Sequence, residues 1–324
     1  MNRQFFTTVL IVFGIPTAYA LVARVFFGIE TWDNLFDVMS TSFLFCLPTI
    51  VGTLTVYLSS YERAQQAAYQ FFAPWIPVMI FCVITIAFAI EGWACWIMIL
   101  PIFLLAASLG GFLGGYLKRR QHRRNLKITF LVFLPFLLAP IESFIGSFPG
   151  VYKARTSIEI NAPPEVIWDN VTRVKDIPEE EDTGYLNRFL GFPRPVKAEL
   201  NFEGVNAYRE AVFTNGLVFH ETVTQYIDNE KMVFAIQAFP HEIPSTTLDE
   251  HVVIGGEYFD VLTGTYELEI LDRDKYILHL YSTFEINTTF NFYAGWWAKW
   301  IMKDIQDNIL RIQKSRSESV IHRQ

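Results

Sequence analysis

The side chains that could move protons or hold a metal are few and scattered. The six histidines are His122, His220, His241, His251, His279 and His322. None stands in a zinc-like spacing with Cys, Asp or Glu, and His241-Glu242 lacks the second histidine of a metalloprotease helix. No serine occupies a nucleophile-elbow sequence, and no glycine-rich phosphate loop follows a strand pattern. No metal or cofactor is expected, and no residue is assigned as catalytic. Glu179-Glu180-Glu181-Asp182 offers adjacent carboxylates, but four acids without apolar neighbours read as a solvated face.

The remaining chemistry lies on strand patterns. His220 and Glu221 are neighbours on one strand and point to opposite faces, so only one can face an interior. Either of them with Tyr258 is the strongest polar constellation. His279 and Tyr281 share a face opposite Leu278 and Leu280. A buried carboxylate beside a histidine can do acid–base work; the competing reading is that these groups are solvated or pair across strands.

What positions these residues is a chain of two dissimilar halves. Five apolar stretches, at 5–27, 38–58, 72–90, 93–117 and 128–147, fill the first 147 residues, each close to the ~20 residues a helix needs to cross a bilayer. Inside lipid each backbone amide must bond within its own segment, so an all-α transmembrane bundle is expected. Ala18-Tyr19-Ala20 resembles a cleavage site, but the apolar run continues to Phe27, which reads as a retained span. Gly110, Gly111, Gly114 and Gly115 give two overlapping small-xxx-small patterns suited to close packing within the bundle. Prolines 16, 48, 101, 135 and 140 predict kinks. Glu142, inside the last stretch, either acts within the membrane or reaches its interface.

Charge divides in the same place. Residues 1–150 hold 9 Lys/Arg against 6 Asp/Glu, and residues 151–324 hold 17 against 27, so the second half carries −10. An acidic half without basic, aromatic-interleaved stretches argues against a nucleic-acid partner. Cys46, Cys82 and Cys95 all lie in or beside apolar stretches, so no disulfide can staple the second half. The basic loop Lys118 to Lys127, placed inside by the positive-inside rule, also puts Arg3 and Arg63 inside. With five crossings the N-terminus is then cytoplasmic and the C-terminal domain outside a bacterial-type plasma or inner membrane; four crossings would return the domain to the cytoplasm. Ser147 to Gly150 form the whole connector, at most ~14 Å long, which is expected to hold the domain near the membrane.

Beyond the connector the period changes. Residues 152–160 alternate as a half-buried strand, and Asn161 is a candidate N-cap for a helix from Glu165 to about Val174 that turns Trp168 inward. Strand patterns follow at 196–200, 208–213, 218–227, 232–238, 252–261, 265–271 and 276–286. Asn215-Gly216 predicts a hairpin, and Gly255-Gly256 a bulge. A long helix over 290–314 places Ala294, Trp297, Ala298, Ile301, Ile305, Ile309 and Ile312 on one stripe to cover the sheet. Trp296 and Trp300 fall off that stripe, as aromatics at a membrane interface do. Residues 318–324 read as a polar tail.

The tract Thr156-Ser157-Ile158-Glu159-Ile160-Asn161-Ala162-Pro163-Pro164-Glu165-Val166-Ile167-Trp168 resembles the opening of the SRPBCC superfamily, the START-like, polyketide cyclase/dehydrase and lipid-transport domains. Phe213 to Val223 and the final amphipathic helix fit the same pattern, so the resemblance spans 151–317. It implies an α+β helix-grip domain, a curved antiparallel sheet around a long C-terminal helix that encloses a mostly apolar cavity. The cavity candidates are Trp168, His220, Glu221, Tyr258, Tyr266, Trp297 and Ile301. The implied function is binding of a membrane lipid or other hydrophobic small molecule beside the bilayer. An enzyme acting on an amphipathic small molecule and a structural or sensory module with a closed cavity are the alternatives, because fold does not decide function.

Overall fold

The computed structural model describes residues 3–32, 35–121, 129–239, 254–272 and 275–321. Asp33, the basic residues from His122 to Lys127, Ile128, the histidines His241, His251 and His322, Val252, and the turn residues Arg273 and Asp274 lie outside the described residues. The chain divides into two units, Met1–Ser147 and Phe148–Gln324.

The first unit is helical, with α1 (Gln4–Phe27), α2 (Ser42–Leu58), α3 (Ala67–Ala87), α4 (Trp93–Arg120) and α5 (Leu134–Ile145). Three of these, α1, α3 and α4, are long and apolar enough to cross a membrane, while α2 and α5 are shorter than the stretches read from sequence. Proline explains part of the local shape. The π-type turns Leu10–Gly14 and Ser42–Cys46 each end two residues before a proline, Pro16 or Pro48. A proline has no N–H to donate to the carbonyl one turn back, and the helix widens there instead.

The glycines of α4 pack within the unit. A Cβ on Gly110 would stand 1.9 Å from the Thr49 carbonyl oxygen, and one on Gly52 1.9 Å from that of Ala107, so α2 and α4 touch backbone to backbone. Thr53 Oγ1 donates across the same seam to the Gly110 carbonyl at 3.0 Å. Gly111 is equally close to the Gln70 carbonyl, so the other face of α4 receives α3. Arg24, Glu91 and Glu142 are all taken up within the unit. The Arg24 guanidinium pairs with Glu91 at the turn before α4, with both side chains over nine-tenths buried. Glu142 accepts from the Ser42 amide at 2.9 Å and from the Ser42 hydroxyl at 2.7 Å, capping the start of α2, where helical N–H groups lack partners.

The second unit is α+β. In order it contains β1 (Gly150–Ile160), α6 (Pro164–Thr172), β2 (Arg173–Val174), α7 (Leu186–Leu190), β3 (Pro195–Leu200), β4 (Tyr208–Phe213), β5 (Val218–Ile227), β6 (Lys231–Ala238), β7 (Phe259–Asp272), β8 (Lys275–Ile286) and α8 (Asn291–Ile321). The strands form one antiparallel sheet in the order β1-β8-β7-β6-β5-β4-β3-β2. Only β1 is out of sequence order, closing onto β8. The helix α8 lies across the inner face: Leu310 packs with Ile160, Trp168, Leu278 and Leu280, and Met302 packs with Ala154 and Phe284. A long helix gripped by one curled antiparallel sheet is the helix-grip fold.

Several local expectations need correcting. The patterns at 252–261 and 265–271 are not two strands, because β7 runs unbroken over Phe259–Asp272. Gly264 sits in its middle, and a Cβ there would lie 2.3 Å from the Phe234 ring. This glycine makes room for a core aromatic on β6; it does not end a strand. Gly255 takes φ +74 in the bend before β7, not in a strand bulge. Asn161 does not cap α6; its backbone and side-chain amides donate to Glu318. α8 continues to Ile321, so residues 318–321 of the expected tail are helical. The Asn215-Gly216 turn forms as read, with both residues at positive φ.

The buried face of α8 is rotated from the expected apolar stripe. Ile301, Ile305 and Ile309 are half-buried, whereas Met302, Gln306, Leu310, Gln313 and Ser317 are buried. The reason is polar pairing across the core: Gln306 Nε2 donates to Ser282 Oγ at 2.8 Å, and Thr156 Oγ1 donates to Gln306 Oε1 at 3.2 Å. A helix face that turns a bonded glutamine such as Gln306 inward is invisible to hydropathy.

Candidate functional site

The strand register brings a charged pair inside the grip. Arg209 on β4 stands directly across from Glu221 on β5, and side-chain exposures of 4% and 6% make this an ion pair taken out of water. Arg209 Nη1 donates to the Val171 carbonyl at 3.2 Å, and its guanidinium carbon lies 4.6 Å from the Phe234 ring centroid and 5.8 Å from that of Tyr266. Burial pushes the Glu221 carboxyl up while Arg209 pulls it back. Burial also raises the Tyr266 hydroxyl, opposed by Arg209 and by the Gln313 amide of α8. Neither amide atom of Gln313 makes a hydrogen bond of ordinary geometry. Two members of this group, Glu221 and Tyr266, were cavity candidates; Arg209 and Gln313 were not. An arginine one residue from exposed Tyr208 reads in sequence as part of a wet face, and only its register opposite Glu221 marks it.

The other candidates lie elsewhere. Trp168 is in the same core cluster, with its indole N–H donated to the Tyr226 hydroxyl at 3.0 Å. His220 points away from Glu221, as alternation requires; its ring meets Tyr208 through Nδ1 and lies 5.1 Å from Phe239. Tyr258 is half-buried in the bend before β7, where its carbonyl accepts from the Asn287 amide at 3.0 Å. Thus Glu221 is taken up by Arg209 and His220 by Tyr208. The acidic run is not wholly solvated either. Asp182 is buried, accepting from Asn308 Nδ2 at 2.7 Å and pairing with Arg194 at 3.2 Å, beside a cavity of about 10 Å³, the size of one water. Among the described residues no group of three or more His, Cys, Asp or Glu is placed to hold a metal ion.

The two ends of the inner face differ. Around Leu310 the face is dense core, with Ile160, Ile167, Val171, Met232 and Leu278 all fully buried. Around Ala298 a smaller core of Ala154, Val261, Phe284, Ile286 and Met302 is buried, and Tyr152, Ile236, Ile254, Phe259, Ala294, Ala298 and Ile305 pack against it while partly exposed. Trp297 and Ile301 belong to the helix turns at that end. Trp297 is 9% exposed, and its Nε1–H makes no hydrogen bond of ordinary geometry, although it is close enough to the Tyr293 hydroxyl to lower that group's pKa against the rise caused by burial. The grip therefore presents an apolar lining with one underused donor at one end, and a charged pair locked in core at the other.

No family model matches the chain, and no curated protein matches it. Solved structures similar to it include a START superfamily protein from Mycobacterium smegmatis, at 12% identity over 53% of this chain and 99% of that one, with a TM-score of 0.34. A truncated norcoclaurine synthase from Thalictrum flavum has 12% identity over 52% and 94%, with a TM-score of 0.29. The protein XoxI from Bacillus cereus has 15% identity over 52% and 98%, with a TM-score of 0.29. On its sheet order and its gripped helix, the second unit is a helix-grip domain.

Proposed function

We propose that this chain is a membrane-anchored binder of an apolar, lipid-like ligand, which enters the grip at the Ala298 end. The observation that carries the reading is the partly covered apolar lining there, set beside the Trp297 indole donor. An apolar ligand with one acceptor at its head covers the lining and meets the indole N–H, and sites for such molecules combine an apolar wall with few polar groups. The packed Leu310 end sets the depth. The Arg209–Glu221 pair beneath it is committed to its own hydrogen bonds, which favours a binder over an enzyme that needs a free acid and base.

The first unit is the anchor in this reading, with five crossings. If only α1, α3 and α4 crossed, Arg3 and the basic loop from Lys118 would fall on opposite sides, against the positive-inside rule. If α2 and α5 cross as well, Arg3, Arg63 and that loop share the cytoplasmic side, and the second unit lies on the outer side. The helix over 42–58, π-type in its first turn, is about 26 Å long and α5 about 18 Å, against the ~30 Å of a hydrocarbon core.

Substituting Ala298→Phe tests the ligand site. The larger ring fills the lining without adding charge, so the full-length protein in detergent should bind a dansyl-labelled fatty acid about tenfold more weakly, a change of about 1.4 kcal/mol. Energy transfer from tryptophan to the dansyl group is the readout, with thermal melting as the fold control. Unchanged affinity in a folded variant would remove the Ala298 end from consideration.

A further inference from the structure

The N-terminal turns of α8 carry an exposed aromatic group that borders Trp297 of the proposed site. Phe292 is 74% exposed, Trp296 55% and Trp300 46%. Trp296 lies 5.4 Å from Trp300 and 6.4 Å from Tyr293, centroid to centroid, so these rings form one patch. Phe148, 65% exposed, lies beside the start of α8, because the Asn291 side-chain amide donates to its backbone carbonyl. Large exposed aromatics gathered in one place mark an interaction surface.

The charge around the patch selects its occupant. From Asn291 to Lys303 the helix carries Lys299 and Lys303 and no acid, although residues 151–324 carry −10 overall. Lys299 Nζ sits 5.1 Å from the Tyr152 ring centroid, so a cation borders the aromatics on the β1 side as well. Tryptophans flanked by lysines are the composition of the membrane–water interface: the indoles sit at headgroup level and the ammonium groups meet phosphates. The chain supplies the surface itself, since Phe148, at the start of the second unit, directly follows the apolar helical unit.

We propose that Phe148, Phe292, Trp296 and Trp300 seat the second unit in the headgroup layer of the bilayer that anchors the chain. This goes beyond ligand binding and does not depend on it; it rests only on the membrane reading of the first unit. Seating these turns would also present the Ala298 end to the lipid layer, since Trp297 and Ala298 lie between the two seated tryptophans.

The test compares full-length protein with the double variant Trp296→Phe/Trp300→Phe, both reconstituted into phosphatidylcholine/phosphatidylglycerol vesicles. Phenylalanine at two exposed positions leaves the core intact. The difference in tryptophan fluorescence between the two proteins isolates Trp296 and Trp300. The expected result is that lipid brominated near the headgroup end of its acyl chains quenches most of that difference, while aqueous acrylamide quenches little of it. Quenching by acrylamide alone would show both rings in water and overturn the proposal. Quenching by neither would show a protein surface, such as a second copy, covering the patch, and would overturn it equally. Failure of the chain to float with the vesicles would overturn the membrane reading and this inference together, whereas flotation without lipid quenching overturns only the inference.

Discussion

Leu310→Asp should abolish the folded second unit. Leu310 is 1% exposed and touches the core from α8 alongside Ile160, Trp168, Leu278 and Leu280. Removing its side chain forfeits roughly 2–5 kcal/mol of packing and transfer free energy. An aspartate placed there takes a charge into an apolar cluster, and a buried charge without full pairing costs several kcal/mol more. The sum reaches the ~5–15 kcal/mol that holds a typical domain together. Limited proteolysis of the full chain should then cut freely after residue 150 while the helical unit survives. The control is Arg311→Gln, at an exposed position of the same helix, which should leave the pattern unchanged. A Leu310→Asp protein that resists protease like the parent would mean that α8 does not grip the sheet through this face.

The Arg209–Glu221 pair should show the other large effect, and its sign should depend on how many partners are removed. Arg209→Met alone strands a carboxylate that is 6% exposed, and breaking a buried pair from one side costs about 3–5 kcal/mol. Glu221→Leu alone strands the guanidinium at similar cost. The double variant replaces both charges by apolar groups next to Phe234 and Tyr266 and should recover most of the loss. Chemical denaturation of the four proteins in a double-mutant cycle measures this directly. Additive losses would show that the two groups do not act as a pair. In this account dansyl-fatty-acid binding survives in the double variant, because the pair lies at the packed end of the grip.

The sequence shows most of the architecture because periodicity is a backbone property. Alternation in Tyr266 and Leu268 places both inside, as observed, although Ile270 on the same face runs out to 75% exposure where the sheet is no longer covered. The Asn215-Gly216 turn is legible for the same kind of reason, since few residues tolerate that backbone. Illegible features share one cause: a residue type whose usual place is reversed by a partner distant in sequence. Gln306 faces inward because Thr156 and Ser282 bond it, Asp182 because Arg194 and Asn308 do, and Arg209 because Glu221 does. Gly264 looks like a strand break, and only the Phe234 ring above it explains why the strand continues. Of the candidate site residues, alternation separates His220 from Glu221 correctly, but it cannot find the cation that claims Glu221.

The central claim is that an apolar ligand occupies the grip at the Ala298 end, and photolabelling tests it most directly. Full-length protein in lipid nanodiscs is illuminated with a fatty acid carrying a terminal diazirine, digested and mapped. Lipid-exposed helices will label in any case, so the second unit is the informative part. The expected adducts fall on the lining residues Ile236, Phe259, Ala298 and Ile305, reduced in Ala298→Phe and absent around Leu310. Labelling confined to residues 1–147 and to the exposed rings of Trp296 and Trp300, with the lining bare, would contradict it.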